Sequence, residues 1–369
     1  MTAFPLVDGR ALQDRSAVRG IGTYVRGLCD GLAGLGVHPD LLLRAGEPPP
    51  PEAQRLGLRG VATVPVLKRR IQPVADPLLV MRILHALRPA LYHAVEWAQP
   101  LRSPVPVVVT VHDLIPFLYP RLYPWMRRER LLALRLLRHA GAVIAVSRCT
   151  ADDTVRLGRV DPHRITVVPH GVAPEFAPAA GTAVDALRRR LGLEGPYLLA
   201  VGTFDPRKRV DLLMEVAARI PGLTLAVAGD QGGYAGAVAE AARRAGVAAR
   251  TRATGHLPLD DLVTLYSGAA CLVFTSGYEG FGLPLLEAMA CATPVVAFRN
   301  SALAEVGGPA AVLVDDGDAA ALAAAAQRLL DDPAERAERV AAGRDWAAQF
   351  TWEQTARRTL EVYRSLAAL

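Results

Sequence analysis

Two α/β domains, each built on a parallel sheet, are predicted by three features: the length of the chain, its rhythm of short apolar runs and helical segments, and a Pro- and Gly-rich break near its middle. At 369 residues the chain is longer than one ordinary core supports. Runs rich in Val, Ile and Leu alternate with Ala-, Leu- and Arg-rich segments of helical period, as strands joined by crossover helices do. The clearest strands in the first half are 105–111 and 142–146, with a weaker one at 61–66. In the second half they are 197–201, 223–228, 270–274, 293–297 and 311–314. Most are nearly continuous apolar runs, which suits strands covered on both faces. The break holds Pro169, Gly171, Pro174, Pro178 and Gly181, then a short charged helix, then Gly195. The expected boundaries are therefore an N-terminal domain at 1–172, a linker at 173–195, a second domain at 196–350 and a terminal segment at 351–369. That segment holds a helix from about Trp352 to Leu366, with Ala356, Leu360, Tyr363 and Leu366 on one face, long enough to cross back to the first domain. Glu47 to Pro51 and Pro116 to Pro124 read as loops.

Composition narrows the class. With 51% hydrophobic and 21% charged residues the chain is globular, not disordered. Asp8 interrupts the N-terminus before any apolar run long enough for a signal peptide, and no membrane-spanning stretch follows, so a cytoplasmic protein is expected. Cys29, Cys149, Cys271 and Cys291 lack disulfide-framework or zinc spacing and are expected to be buried thiols. The net charge of +6 is uneven: residues 1–172 carry 23 Lys plus Arg against 13 Asp plus Glu. Such a half suits an anionic partner or simply a well-solvated surface.

The strongest local motif is Ser276-Gly-Tyr-Glu279-Gly-Phe-Gly-Leu-Pro284-Leu-Leu-Glu287. It follows a buried strand and opens a helix, with Pro284 suited to the first turn. The backbone N–H groups of Gly280, Phe281, Gly282 and Leu283 would face anionic oxygens or sugar hydroxyls, with the helix dipole behind them. Glu287, in the first helical turn, would accept hydrogen bonds from a pair of hydroxyls, and Glu279 stays in the loop. A plain strand, Gly-rich turn and helix is the alternative. The second motif is Val201-Gly202-Thr203-Phe-Asp-Pro-Arg207-Lys208-Arg209, a basic loop at the carboxyl end of a strand, where ligands bind in open α/β sheets. Its cations suit a diphosphate or solvate the loop. In the first half, Arg19-Gly20-Ile-Gly22-Thr23-Tyr24 places two glycines before an amphipathic helix, and His112-Asp113 follows the best strand.

Together these segments resemble family 4 of the retaining glycosyltransferases, in particular a mannosyltransferase-like branch, over nearly the whole chain. Further matching segments are Asp8-Gly-Arg10, Ala145-Val-Ser147, Val168-Pro-His-Gly-Val172, Thr254-Gly-His256-Leu257 and Phe350-Thr-Trp-Glu353. The resemblance implies a GT-B fold: two Rossmann-like domains facing across a cleft, with the C-terminal helix packed back on the first. It implies that Lys208 and Arg207 hold the donor diphosphate, Glu287 the ribose, and Glu279 with the Gly280–Leu283 backbone the transferred sugar. Gly202 and Thr203 would line the same strand end, and His256 and Leu257 would frame the base. Gly22 and Thr23 would meet the phosphates from the other domain, and His112 the sugar near its reacting carbon. Thr203 stands where many relatives carry Arg, so the diphosphate-binding guanidinium is Arg207 or Arg209. Ala292 stands where a helix-ending Gly is common.

The implied activity is a metal-independent, retaining hexosyltransferase using GDP-mannose, with same-face attack on the donor and no cofactor. A non-catalytic nucleotide- or membrane-binding protein, a phosphorylase and an epimerase are the alternatives. The acceptor is a glycan, a lipid-linked sugar or a small molecule, and no nucleic-acid partner is expected. A basic helix, Trp125 to Arg138, carries Leu131, Leu134 and Leu137 beside Arg128, Arg135 and Arg138. It either packs its Leu side on the sheet or lies on an anionic membrane.

Overall fold

The structure is a computed structural model that describes residues 4–18, 20–67, 71–96, 99–193, 195–229 and 234–367. The chain divides into two compact units, Met1–Gly171 with Thr351–Leu369, and Val172–Phe350. Each is a parallel sheet covered by helices.

In the first unit seven strands are described: β1 (Leu6–Asp8), β2 (Asp40–Arg44), β3 (Gly60–Val64), β4 (Tyr92–Ala94), β5 (Val107–Val111), β6 (Ala142–Ala145) and β7 (Ile165–Val167). Their order is β3-β2-β1-β4-β5-β6-β7, every neighbouring pair parallel. The connection direction reverses between β1 and β4, so a crevice opens beyond their carboxyl ends. Leu6, Val7, Leu41, Leu42, Val108, Val109, Val143 and Ile144 are buried, and they feed apolar clusters on both faces of the sheet.

In the second unit the strands are β8 (Tyr197–Val201), β9 (Thr224–Ala228), β10 (Thr251–Gly255), β11 (Cys271–Phe274), β12 (Val295–Phe298) and β13 (Val312–Val314). The order β10-β9-β8-β11-β12-β13 is again parallel, with its reversal between β8 and β11. The segment 173–195 carries the helix Gly181–Leu191, closed by the left-handed Gly192, and belongs to this unit.

The terminal helix Trp352–Leu366 packs on the helix Gly20–Gly34 of the first unit. The approach is close: a Cβ on Gly27 would fall 2.0 Å from the Trp352 indole, and one on Gly31 2.5 Å from the Trp352 carbonyl oxygen. Ala356, Leu360 and Tyr363 line the buried face. Polar groups seal the contact. His93 shares a 2.6 Å hydrogen bond with the Tyr363 hydroxyl and a 2.7 Å bond with the Thr110 hydroxyl, which meets Tyr24 Oη at 2.9 Å. The terminal segment therefore completes the first unit's core.

Several expectations change. The proline-rich stretch 116–124 is not all loop, because a short helix spans Ile115–Leu118, and Pro51 opens the helix Pro51–Arg55. Proline is tolerated in both because it stands in the first turn, where its missing N–H has no intrahelical partner. Of the cysteines, Cys149 is only half-buried. Among the described residues, no helix is long and apolar enough to cross a membrane.

Candidate active site

The second unit gathers its ionisable groups at the β8–β11 reversal. After β8, Gly202 and an exposed Thr203 lead into a tight turn, Pro206–Lys208, capped by Asp205, whose carboxylate accepts the Arg207 N–H at 3.0 Å. Lys208 and Arg207 converge on Glu279 from the loop after β11: Lys208 Nζ lies 2.5 Å and Arg207 Nη1 2.8 Å from Glu279 Oε1. Arg207 Nη1 also donates to Ser276 Oγ at 3.1 Å and to the Tyr278 carbonyl. The loops are tied by backbone as well, since Thr275 Oγ1 donates to the Lys208 carbonyl at 2.8 Å and the Gly277 N–H to the Arg207 carbonyl at 2.9 Å.

Burial raises the Glu279 carboxyl, but Lys208 and Arg207 outweigh it and bring its pKa to about 2. Burial pulls the Lys208 ammonium below its ordinary value, assisted by Arg207 and opposed by Glu279. The result is a preorganised group of two cations and one carboxylate. Arg209 turns elsewhere: with φ 48°, it directs its guanidinium to Asp316 at 2.7 and 3.1 Å.

Gly282 precedes the helix Leu283–Ala290 with φ 111°, a conformation that L side chains rarely adopt, and Pro284 lies in the first turn. The Glu279 N–H donates to Ser301 Oγ at 2.9 Å, which anchors the start of the Glu279–Leu283 loop. Glu287 lies just beyond the first turn instead of within it, because the helix begins only at Leu283. Tyr266 Oη donates to Glu287 Oε2 at 2.8 Å. Burial nevertheless raises the Glu287 carboxyl to about 7. Two residues beyond the end of this helix, Ala292 has φ 61°, the left-handed conformation that suits glycine there. His256 is exposed and Leu257 half-buried, directly after β10.

In the first unit, His112 follows β5, and its Nε2 lies 3.0 Å from the Val95 carbonyl. That partner requires Nε2–H, so Nδ1 carries the lone pair. Burial lowers the imidazole to about 4, leaving it neutral at ordinary pH. His170 stacks on it with ring centroids 5.3 Å apart, and Tyr24 meets it edge-on at 4.8 Å. Gly20 and Gly22 do not precede the helix as expected, because the helix begins at Gly20 and contains Gly22 and Thr23. Gly22 is also demanded by packing: a Cβ there would lie 2.3 Å from the Ser16 carbonyl oxygen. Arg19 of the same motif lies outside the described residues.

Thus Lys208, Arg207, Glu279 and the loop Gly280–Leu283 come together in one unit, with Glu287 further along the helix, while His112, Gly22 and Thr23 belong to the other. Tyr266 and Ser301 carry no motif and were not foreseen. Among the described residues, no group of three or more His, Cys, Asp and Glu side chains is placed to hold a metal ion.

The family described as Glycosyltransferase Family 4 matches residues 18–176, and that described as Glycosyl transferases group 1 matches 185–346. The chain is 30% identical to the O-antigen chain mannosyltransferase B of Escherichia coli, over 79% of this chain and 81% of that protein. It is 32% identical to a D-inositol 3-phosphate glycosyltransferase of Acidothermus cellulolyticus, over 95% and 86% respectively. A sucrose-phosphate synthase from Thermosynechococcus elongatus superposes with a TM-score of 0.81 at 26% identity, covering 98% of this chain and 99% of that one. Anabaena HepE in complex with UDP and glucose shares the fold at 0.78 and 19% identity, covering 99% and 100%.

Proposed function

The chain belongs to family 4 of the glycosyltransferases, with the GT-B fold of two Rossmann-like units, and from that premise we propose that it moves a mannosyl group from GDP-mannose to an acceptor hydroxyl with retention of configuration. The observation that carries the reading is the convergence of Lys208 and Arg207 on Glu279 at the carboxyl end of β8. In this reading Lys208 and Arg207 stabilise the charge that develops on the departing diphosphate, the work a divalent metal does elsewhere. Glu279 and the Gly280–Leu283 backbone hold the sugar, and Glu287 accepts the ribose hydroxyls. Gly202 and Thr203 border the phosphates, and Arg207 supplies the guanidinium because it converges with Lys208 on Glu279, whereas Arg209 turns away to Asp316. His256 and Leu257 flank the base. Gly22 and Thr23 approach the phosphates from the first unit, and neutral His112 accepts a sugar hydroxyl through Nδ1. The acceptor attacks from the leaving-group face and gives its proton to the departing phosphate, so retention needs no covalent intermediate.

The mannosyl choice follows the Escherichia coli relative, which is named for mannose transfer. The acceptor is a glycan, glycolipid or small molecule met in the cytoplasm. Leu134 and Leu137 of the basic helix are buried in the first unit's core, so its Leu side packs inward, and contact with the inner face of the membrane is proposed instead through Trp125, 66% exposed, and Leu131, 37% exposed, beside Arg127 and Arg128.

A thermal-shift series with nucleoside diphosphates and their sugars tests the donor. Stabilisation by GDP and GDP-mannose, with nucleotide release that persists in EDTA, is expected. A shift by another base reassigns the donor, dependence on Mg²⁺ removes the metal-free mechanism, and binding without release points to a non-catalytic protein. No nucleotide binding removes the proposal.

A further inference from the structure

The first unit has a cavity of its own at the β1–β4 reversal, the place where an open parallel sheet binds ligands. Its volume is about 180 Å³, where one water needs roughly 10–15 Å³ on the same kind of measure. The strand ends contribute Asp8, Arg44 and Glu96, and the helices Gln72–Leu87 and Pro124–Leu136 contribute Asp76, Glu129 and Arg130, with Arg10 between them.

Its charges are already balanced in a specific way. Arg10 donates from Nε and Nη2 to the two Asp8 oxygens at 2.9 and 2.7 Å, and from Nη1 to Asp76 at 3.1 Å. Arg44 pairs with Asp14 and donates from Nε to the Arg10 carbonyl at 3.3 Å. Burial raises the Glu96 carboxyl, and Arg130 opposes that rise. The lining thus sets four carboxyl groups, Asp8, Asp76, Glu96 and Glu129, against three guanidiniums.

A phosphate ester needs a surplus of cationic donors, and here the guanidiniums offer none, since Arg10 is held by Asp8 and Asp76 and Arg44 by Asp14. Neighbouring sugar hydroxyls need the opposite: carboxylate oxygens to accept their protons and fixed N–H groups to donate to their oxygens. A second, smaller cavity shares Glu96 and Arg130 and reaches His112 and Asp113, so the lining continues from the larger cavity toward the imidazole that the proposed function sets near the reacting carbon.

We infer that this cavity is the acceptor subsite and that it takes a neutral polyhydroxylated acceptor, a sugar residue without phosphate, in preference to a phosphorylated polyol. The inference rests on the transfer reading, and binding measurements separate the two. Saturation-transfer NMR on the full chain would use methyl α-mannoside and inositol 3-phosphate as acceptor probes, with GDP and UDP reporting the donor site.

The glycoside is expected to bind at least tenfold more tightly than the phosphate ester. Asp76→Asn and Glu129→Gln should each weaken glycoside binding at least fivefold, with the dispersed upfield methyl resonances of the apolar core around Asp8 and Tyr92 unchanged in the same samples, which shows that the first unit is folded. Tighter binding of inositol 3-phosphate, or glycoside affinity unchanged in both variants, overturns the inference. If a nucleotide binds and the glycoside does not, this inference falls and the donor reading stands. If the glycoside binds and no nucleotide does, the transfer reading falls and the acceptor assignment with it.

Discussion

Glu287→Gln should stabilise the protein at alkaline pH while weakening the ribose acceptor that the proposed function assigns to this position. The carboxyl of Glu287 rises from an ordinary 4.5 to about 7 because burial penalises its charged form more than the Tyr266 hydroxyl rewards it. At about 1.36 kcal/mol per tenfold change in proton affinity, that rise corresponds to roughly 3 kcal/mol. The sign follows from linkage: the folded form binds the proton more tightly, so the contribution is fully present below pH 4.5 and is lost as the pH climbs through 7. Glutamine keeps an oxygen for Tyr266 and has no proton to lose. The melting temperature of the variant minus that of the wild type should therefore be small at pH 5 and grow to about 5–10 °C at pH 8.5, at roughly 2–4 °C per kcal/mol for a unit of this size. Taking the difference cancels every other titration common to both proteins. Scanning calorimetry at half-unit pH steps would decide it, and a difference that stays constant across the range would refute the argument. If Glu287 meets the ribose as a carboxylate, as proposed, nucleotide binding to the wild type should release a proton near pH 6.5, visible as a dependence of binding enthalpy on the buffer, and the variant should show none.

Lys208→Ala should lower the transfer rate at least 100-fold, a loss of about 3 kcal/mol of transition-state stabilisation, and wild-type turnover in a nucleotide-release assay would remove Lys208 from the mechanism. Ala292→Gly relieves a left-handed residue, φ 61°, two residues beyond the end of the Leu283–Ala290 helix. Relief of about 1–2 kcal/mol, less the greater freedom glycine gains when unfolded, should raise the melting temperature by about 1–4 °C; a decrease would show that the alanine methyl group packs usefully. Liposomes containing anionic lipid should sediment the wild type at low salt, and Trp125→Ala with Arg128→Glu should abolish this, whereas equal sedimentation of the variant would place any membrane contact elsewhere.

The long apolar strands were readable because both of their faces are covered. Val107–Val111, Ala142–Ala145 and Tyr197–Val201 are continuous runs of buried residues, or nearly so. The strands that escaped reading lack that signature for definite reasons. β1, β4 and β7 span three residues each, too few to show a period, and β2, Asp40–Arg44, buries only Leu41–Leu43 between two charged ends. β10, Thr251–Gly255, lies at a sheet edge and contains Arg252 and Thr254, so nothing apolar marks it. The Glu279–Glu287 motif was legible as one continuous segment. Tyr266 was not, because it reaches Glu287 from another helix.

The order of residues along the chain was enough to determine the α/β class, the family, and the neighbourhood of Lys208, Glu279 and Glu287, since each depends on local spacing and on which segments are wholly apolar. Tertiary structure decided what spacing cannot express. It turned Arg207 toward Glu279 and Arg209 toward Asp316, although the two are only two residues apart. It raised Glu287 and lowered Glu279, carboxyls of the same kind on the same segment, because one is buried beside a hydroxyl and the other beside two cations. It also brought Asp8, Asp76, Glu96 and Glu129 around one cavity from four separate stretches of chain. Charge, desolvation and direction are properties of neighbours in space, and those neighbours exist only once the sheet has formed.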